Sequence, residues 1–247
     1  MLINTTGHEK SRFTVVLTCL ADGTRLKPMI IFKQETMPKE KFPPGVVIHC
    51  HPKGWMDEDG LKLWIQKVWG TRPGALLRKR SLLIWDSFRV HLVESVKKAL
   101  RETNTDIAVI PGGLTSMLQP LDVSLNKPFK DWLCAKWTTW MIEGQKSFTA
   151  GVNIKAASLS TVCCWVNEAW RELSQEMVSH SFKKSGISNA VDGTEDDILW
   201  DDEEKETVKV ESNDDEEMEC DICDDKLTEE QWRDLFGESY DEEFDGF

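Results

Sequence analysis

Two aspartates in this 247-residue chain stand where carboxylates can do chemistry. Asp86 follows an apolar run in "LLIWDSFRVH", and Asp122 lies in "LTSMLQPLDVSLNKPFK". A continuous apolar run bounded by polar residues fits a strand covered on both faces. An ionised carboxylate at the end of such a strand needs a partner or a metal. Between the two aspartates lie 35 residues, room for a helix and a second strand. Parallel neighbouring strands would bring both carboxylates to one sheet edge, where ligands collect in open α/β sheets. Close carboxylates repel unless a divalent ion sits between them. Hard oxygen ligands favour Mg²⁺ or Mn²⁺, and a pair of such ions can activate water and stabilise the leaving oxygen in phosphodiester cleavage. Asp86 also fits a cap for a helix beginning near Val90, or the start of a turn, and spacing alone does not choose.

Other residues carry smaller signals. His91 follows Asp86 by five positions and could orient a ligand, touch nucleic acid or simply pack. Lys127 and Lys130, close after Asp122, are placed for phosphate-backbone contact. Arg78-Lys79-Arg80 and Lys183-Lys184 fit surface loops, phosphate contacts or an import signal. Cys220-x-x-Cys223 has metal-like spacing but no second pair.

The elements that must position these residues follow from periodicity. Residues 13–20 and 26–32 read as a hairpin turning at Asp22-Gly23, with Pro28 favouring an edge position for the second strand. Residues 46–50 form a third strand. "MDEDGLKLWIQKVWG" is an amphipathic helix capped by Asp57 and stopped at Gly70. A strand at 81–85, a helix carrying Val93, Val96 and Leu100, and a strand at 107–110 follow, with the two strands parallel. A helix begins at Asp122 and another spans 156–178. The order β-β-β-α-β-α-β-α-α predicts a mixed α/β sheet with helical cover on both faces.

Charge divides the chain. Residues 192–247 hold 26 acidic and 4 basic residues, a net of −22, so the overall −13 conceals a body of +9. A basic body suits phosphate contact. The tail, with few apolar residues and many like charges, should be largely disordered. Its last part, "LTEEQWRDLFGESYDEEFDGF", places Trp232, Leu235 and Phe236 at helical spacing, as in acidic segments that fold on a protein partner. No stretch approaches the roughly 18 apolar residues of a membrane span. Seven scattered cysteines, two of them adjacent, do not read as a disulfide framework.

"TTGHEKSRFTVVLTCLADGTRLKPMIIFK", "LLIWDSFRVH" and "LTSMLQPLDVSLNKPFK", in this order and spacing, resemble the DDE-type transposase domain of pogo/Tigger elements and the proteins derived from them. The resemblance covers about residues 5–190 and leaves 191–247 as an acidic tail. It implies an RNase H-like fold, metal-dependent cutting and joining of DNA, and a nuclear protein. Asp86 matches the family's second catalytic aspartate and Asp122 its third. The first ends a central strand that precedes "TTGHEK", and the sequence contains no counterpart to it. Asp22 is no substitute, because it sits in the hairpin turn. The resemblance therefore leads us to expect an N-terminally truncated DDE domain that binds DNA without nuclease activity in this chain. The alternatives are a metal-dependent nuclease in a longer product, or an interaction scaffold with a recruiting tail.

Overall fold

The computed structural model describes residues 13–144 and 157–200. The acidic tail beyond 200, with Trp232 and the Cys220/Cys223 pair, lies outside the described residues, as does the "TTGHEK" block.

The hairpin forms as the two apolar runs flanking Asp22-Gly23 predict. β1 (Phe13–Val16) pairs antiparallel with β2 (Met29–Lys33), Phe13 opposite Phe32 and Val16 opposite Met29. Asp22 Oδ1 accepts the Thr24 amide at 2.8 Å. Gly23 adopts φ +86° with its α-carbon against Gln175, so any side chain there would both strain the backbone and collide. β3 (Val47–His51) runs parallel to β2 on its other side. β2 is thus the middle strand, not the edge that Pro28 suggested. Pro28 lies just before the strand, where its missing N–H removes no bond from the β1–β2 ladder, while its carbonyl accepts from the Val47 amide at 2.9 Å.

Because successive side chains of a strand point to opposite faces, β2 feeds two cores. Met29 and Ile31 pack with Leu61, Trp64 and Val68 of the α1 region (α1, Glu58–Lys67) and with Val96 and Leu100 of α2 (Glu94–Glu102). Ile30 and Phe32 pack on the other side with Phe129 and Leu133 of α4 (Asn126–Glu143), Val166 and Trp170 of α5 (Leu159–Glu172) and Val178 of α6 (Gln175–Lys184). A short α3 (Thr115–Leu118) precedes α4. Each fully buried aliphatic side chain of this kind contributes about 1.5–3 kcal/mol relative to exposure.

β4 (Ser81–Trp85) and β5 (Thr105–Val109) are parallel, with α2 as their crossover, and Trp85 stands opposite Val109. The described strands make two sheets, β1-β2-β3 and β4-β5, rather than one. Packing around α1 joins them. Trp64 donates to Thr18 beyond β1 at 3.0 Å, and Trp69 donates to Thr105 of β5 at 2.9 Å. Arg72 lies over the Trp69 ring and donates to Ser81 at 3.0 Å.

Several element boundaries differ from the periodic reading; β5, for one, spans Thr105–Val109 rather than 107–110. Asp57 caps α1 as expected, through the Gly60 amide, but the helix ends at Lys67 and the chain continues as a tight turn at Trp69–Thr71, before and across Gly70. The helix expected near Val90 is a 3₁₀ turn, Arg89–Leu92, and α2 begins after Val93. The long helix expected at 156–178 is two helices. Leu173 is extended, and Ser174 accepts the Met177 amide at 3.1 Å to cap α6, so a local side-chain acceptor outcompetes continuation of the helix.

Candidate cation and nucleic-acid site

The site sits where β4 and β5 end side by side. Asp86 is the first residue beyond β4. Beyond β5 the chain turns through Pro111-Gly112-Gly113, and a side chain at Gly112 would meet the Ser87 hydroxyl at 3.8 Å. The two loops therefore run next to each other. The chain returns through α3 to a π-helical turn, Leu121–Leu125, that carries Asp122 and leads directly into α4. Two contacts fix this turn. The Asp122 amide donates to the Gln119 carbonyl at 2.9 Å. The buried Ser181 hydroxyl donates to the Pro120 carbonyl at 2.5 Å, tying the "QPLD" segment to α6.

Asp86 is held from its own loop. His91 Nδ1 lies 2.7 Å from Oδ1, and the Phe88 amide donates to the same oxygen at 3.1 Å. The imidazole stacks on Trp85, ring centroids 4.3 Å apart and nearly parallel, and meets Phe88 edge-on. Burial alone would raise the Asp86 pKa. The His91 hydrogen bond, the His91 charge and the Phe88 amide together outweigh it and hold the carboxyl below its ordinary value.

Asp122 is perturbed in the opposite sense. Burial of its carboxyl is the leading cause, and the negative charge of Asp86 adds to it. Against these, Asn126 donates to Oδ1 at 2.5 Å and the Lys130 ammonium attracts, but the carboxyl stays above its ordinary value. Asp122 is exposed when its whole surface is counted. The packed atoms nearest its carboxyl, rather than the outer surface of the residue, set the direction.

The fold thus brings Asp86, His91, Asp122 and Lys130 into one electrostatic neighbourhood. Lys127 is exposed on the first turn of α4 and acts on neither carboxyl's pKa. Asp22 is occupied in its turn, its carbonyl accepting from Gln175 at 2.8 Å. Sequence reasoning missed Trp85 as the platform for His91, Asn126 as the donor to Asp122 and Ser181 as the anchor of the "QPLD" segment. Only Asn126 left a signal, being four residues after Asp122 on a helical path.

Two carboxylates offer oxygen donors of the kind a hard divalent cation takes. Each carboxylate has Oδ1 engaged by protein donors, and no described residue donates to either Oδ2. Asp86 also disfavours the charged form of Asp122, a repulsion that a bound cation relieves. Among the described residues no group of three acidic, histidine or cysteine side chains surrounds a common point. A cation here would keep much of its water, as Mg²⁺ does when one or two carboxylates hold it.

A model of the DDE superfamily endonuclease family matches residues 10–182. This chain belongs to that family. Its pogo-type character is shown by its relatives. The chain is 42% identical over 200 residues to the human protein "Pogo transposable element with KRAB domain", covering 81% of this chain and 33% of that one. The mouse protein of the same name is 41% identical over the same length and shares of the two chains. The human "Pogo transposable element with ZNF domain" is 28% identical over 193 residues, covering 77% of this chain and 13% of that protein. The chain thus spans about a third of the length of its more similar curated relatives. No solved structure matches it.

Asp86 and Asp122 both fall inside the matched region, as do all of β1 to β5. Endonucleases of this superfamily generally use divalent metal ions, in keeping with the oxygen donors at this edge.

Proposed function

We propose that this chain is a transposase-derived DDE domain that associates with DNA in the nucleus, with Asp86 and Asp122 as cation ligands and no strand cutting by these two carboxylates alone. The observation that carries this reading is the match of residues 10–182 to the DDE superfamily endonuclease family, with Asp86 directly after β4 and Asp122 close enough to feel its charge. When bound, Mg²⁺ or Mn²⁺ would activate a water and stabilise a leaving oxygen at a phosphodiester. The chain's own residues hold and orient. His91 and the Phe88 amide fix one oxygen of Asp86, Asn126 fixes one oxygen of Asp122, and Lys130 supplies positive charge beside it. With Lys127 on the same helix, Lys130 is placed to meet phosphate.

The family resemblance adds a third carboxylate on a central strand. β1 and β4 each pair on one edge only among the described residues, and this reading places that strand between them. A second reading, metal-dependent DNA cleavage in a longer protein, draws support from the curated relatives, of which this chain spans about a third.

The test is to titrate a labelled DNA duplex with the purified chain at several salt concentrations, and to incubate supercoiled plasmid with the chain and Mn²⁺. We expect binding that weakens steeply with salt, by roughly 0.9 in log–log slope for each phosphate contact, and plasmid that stays supercoiled. Lys130→Gln should lower that slope by about one contact. Salt-independent or absent DNA binding contradicts the association. Nicking that disappears in both Asp86→Asn and Asp122→Asn contradicts the inactivity.

A further inference from the structure

At the end of the β4–β5 sheet away from the carboxylates, the chain builds a surface with no role in the reading above. Between α1 and β4 it makes an ordered 3₁₀ turn, Ala75–Leu77. The Leu77 amide donates to the Gly74 carbonyl at 3.1 Å, the Arg78 amide to the Ala75 carbonyl at 3.0 Å, and the Asn104 side chain to the Arg78 carbonyl at 2.7 Å. This well-bonded turn holds two leucines out in water. Leu76 is 98% exposed and Leu77 74%, and Leu82 on β4 is 57% exposed. The basic run Arg78-Lys79-Arg80 lies between them in the chain. Of these cations Arg80 is paired, with Asp106 at 2.7 Å.

Leucines held in water by hydrogen-bonded backbone contribute nothing to this fold, and they offer nothing to a phosphate. Exposed leucines flanking a basic run match a peptide that carries apolar side chains among acidic ones. The chain carries such a peptide. In "LTEEQWRDLFGESYDEEF", Trp232, Leu235 and Phe236 fall at i, i+3 and i+4, so they share one face if the segment is helical, and acidic residues surround them. Between residue 200 and Leu227 lie 26 residues, which can stretch to about 85–95 Å. A domain of this size has a radius of gyration of about 16 Å, so the tether reaches any face. A tether of this length gives an effective concentration on the order of millimolar.

We propose that the surface formed by residues 76–82 is the docking site for this chain's own acidic segment around Trp232. Trp232, Leu235 and Phe236 cover Leu76 and Leu77, and the flanking carboxylates face Arg78 and Lys79. The contact covers Leu76, Leu77, Arg78 and Lys79, at the opposite end of β4 from Asp86.

Hydrogen–deuterium exchange on the full chain tests this. Trp232→Ala/Leu235→Ala/Phe236→Ala changes only the tail, and Leu76→Ser/Leu77→Ser changes only solvent-facing side chains. The tail variant should speed exchange at residues 76–80, and the body variant should speed it at 228–236. Each change should be about tenfold, as for a site of roughly 0.1 mM affinity met by a millimolar tether. Protection should be independent of protein concentration and should weaken between 0.1 and 1 M salt, as the screening length falls from about 10 Å to about 3 Å. Unchanged exchange at 76–80 in the tail variant overturns the proposal. Protection that fades on dilution overturns it in favour of a second copy. Loss of DNA affinity in the body variant with unchanged tail exchange overturns it in favour of nucleic acid on this surface.

Discussion

His91 Nδ1 lies 2.7 Å from Asp86 Oδ1, and the same imidazole is stacked face-on against Trp85. Trp85 is the last residue of β4 and is buried. The orientation of Asp86 is therefore set by the strand that precedes it, through a ring that folds back from five residues later. His91→Ala should remove a charge-assisted hydrogen bond and a ring contact. The expected loss is about 1–2 kcal/mol, at the lower end because two-fifths of the Asp86 side chain reaches water. Urea titration of the full chain checks this, and a midpoint unchanged from wild type would show that the pair contributes nothing.

The two carboxyls should respond to pH with opposite signs. The Asp122 pKa is raised by burial first and then by Asp86, so its ionisation costs stability as pH rises from the unfolded value of about 3.9 through the folded one. Asp122→Asn keeps an acceptor for Asn126 and removes that cost. It should raise the melting temperature at pH 7 and change nothing below about pH 3. The Asp86 pKa is lowered in the folded state. Its stabilisation is present above the unfolded value and is lost as pH falls through the folded one, so Asp86→Asn should lower the melting temperature at pH 7. Thermal unfolding of both variants across pH 3 to 7 reads the two signs.

One polar contact that ties β5 to the turn after α1 can be removed at one atom. Thr105 is 2% exposed and its hydroxyl accepts from the Trp69 indole at 2.9 Å, while the Arg72 guanidinium lies 3.4 Å away. Thr105→Val keeps the shape and β-branching but leaves the buried Trp69 N–H without its acceptor. A loss of about 1–3 kcal/mol is expected in urea titration. A neutral result would mean that apolar packing alone joins β5 to α1.

Much of this was legible in the sequence where the determinants are local. Residues 13–20 and 26–32 are apolar runs on either side of Asp-Gly, so the hairpin and its turn could be read directly. Asp57 announced the start of α1, and the apolar run before Asp86 announced β4. Strand partners are not local. Nothing in "MIIFK" says that β2 lies between β1 and β3, or that β4 and β5 form a sheet of their own. The division at Ser174 was hidden because the apolar spacing runs on through it, and only the cap geometry separates α5 from α6. At the site, residue type and spacing singled out the two aspartates and Lys130 as candidates, and only the family resemblance chose a catalytic reading for the aspartates. The grip of His91 on Asp86 could not, because it depends on a 3₁₀ turn where an α-helix was expected.

The central claim is that Asp86 and Asp122 share a cation. Titrating the full chain with Mn²⁺ and following the free ion by electron paramagnetic resonance tests it directly. With only two protein carboxylates and a largely aqueous shell, we expect one weak site per chain, with a dissociation constant on the order of millimolar. Asp86→Asn and Asp122→Asn should each abolish it, and Mn²⁺ should raise the melting temperature of the wild-type chain but of neither variant. Equal Mn²⁺ binding by the wild-type chain and both variants would contradict the account.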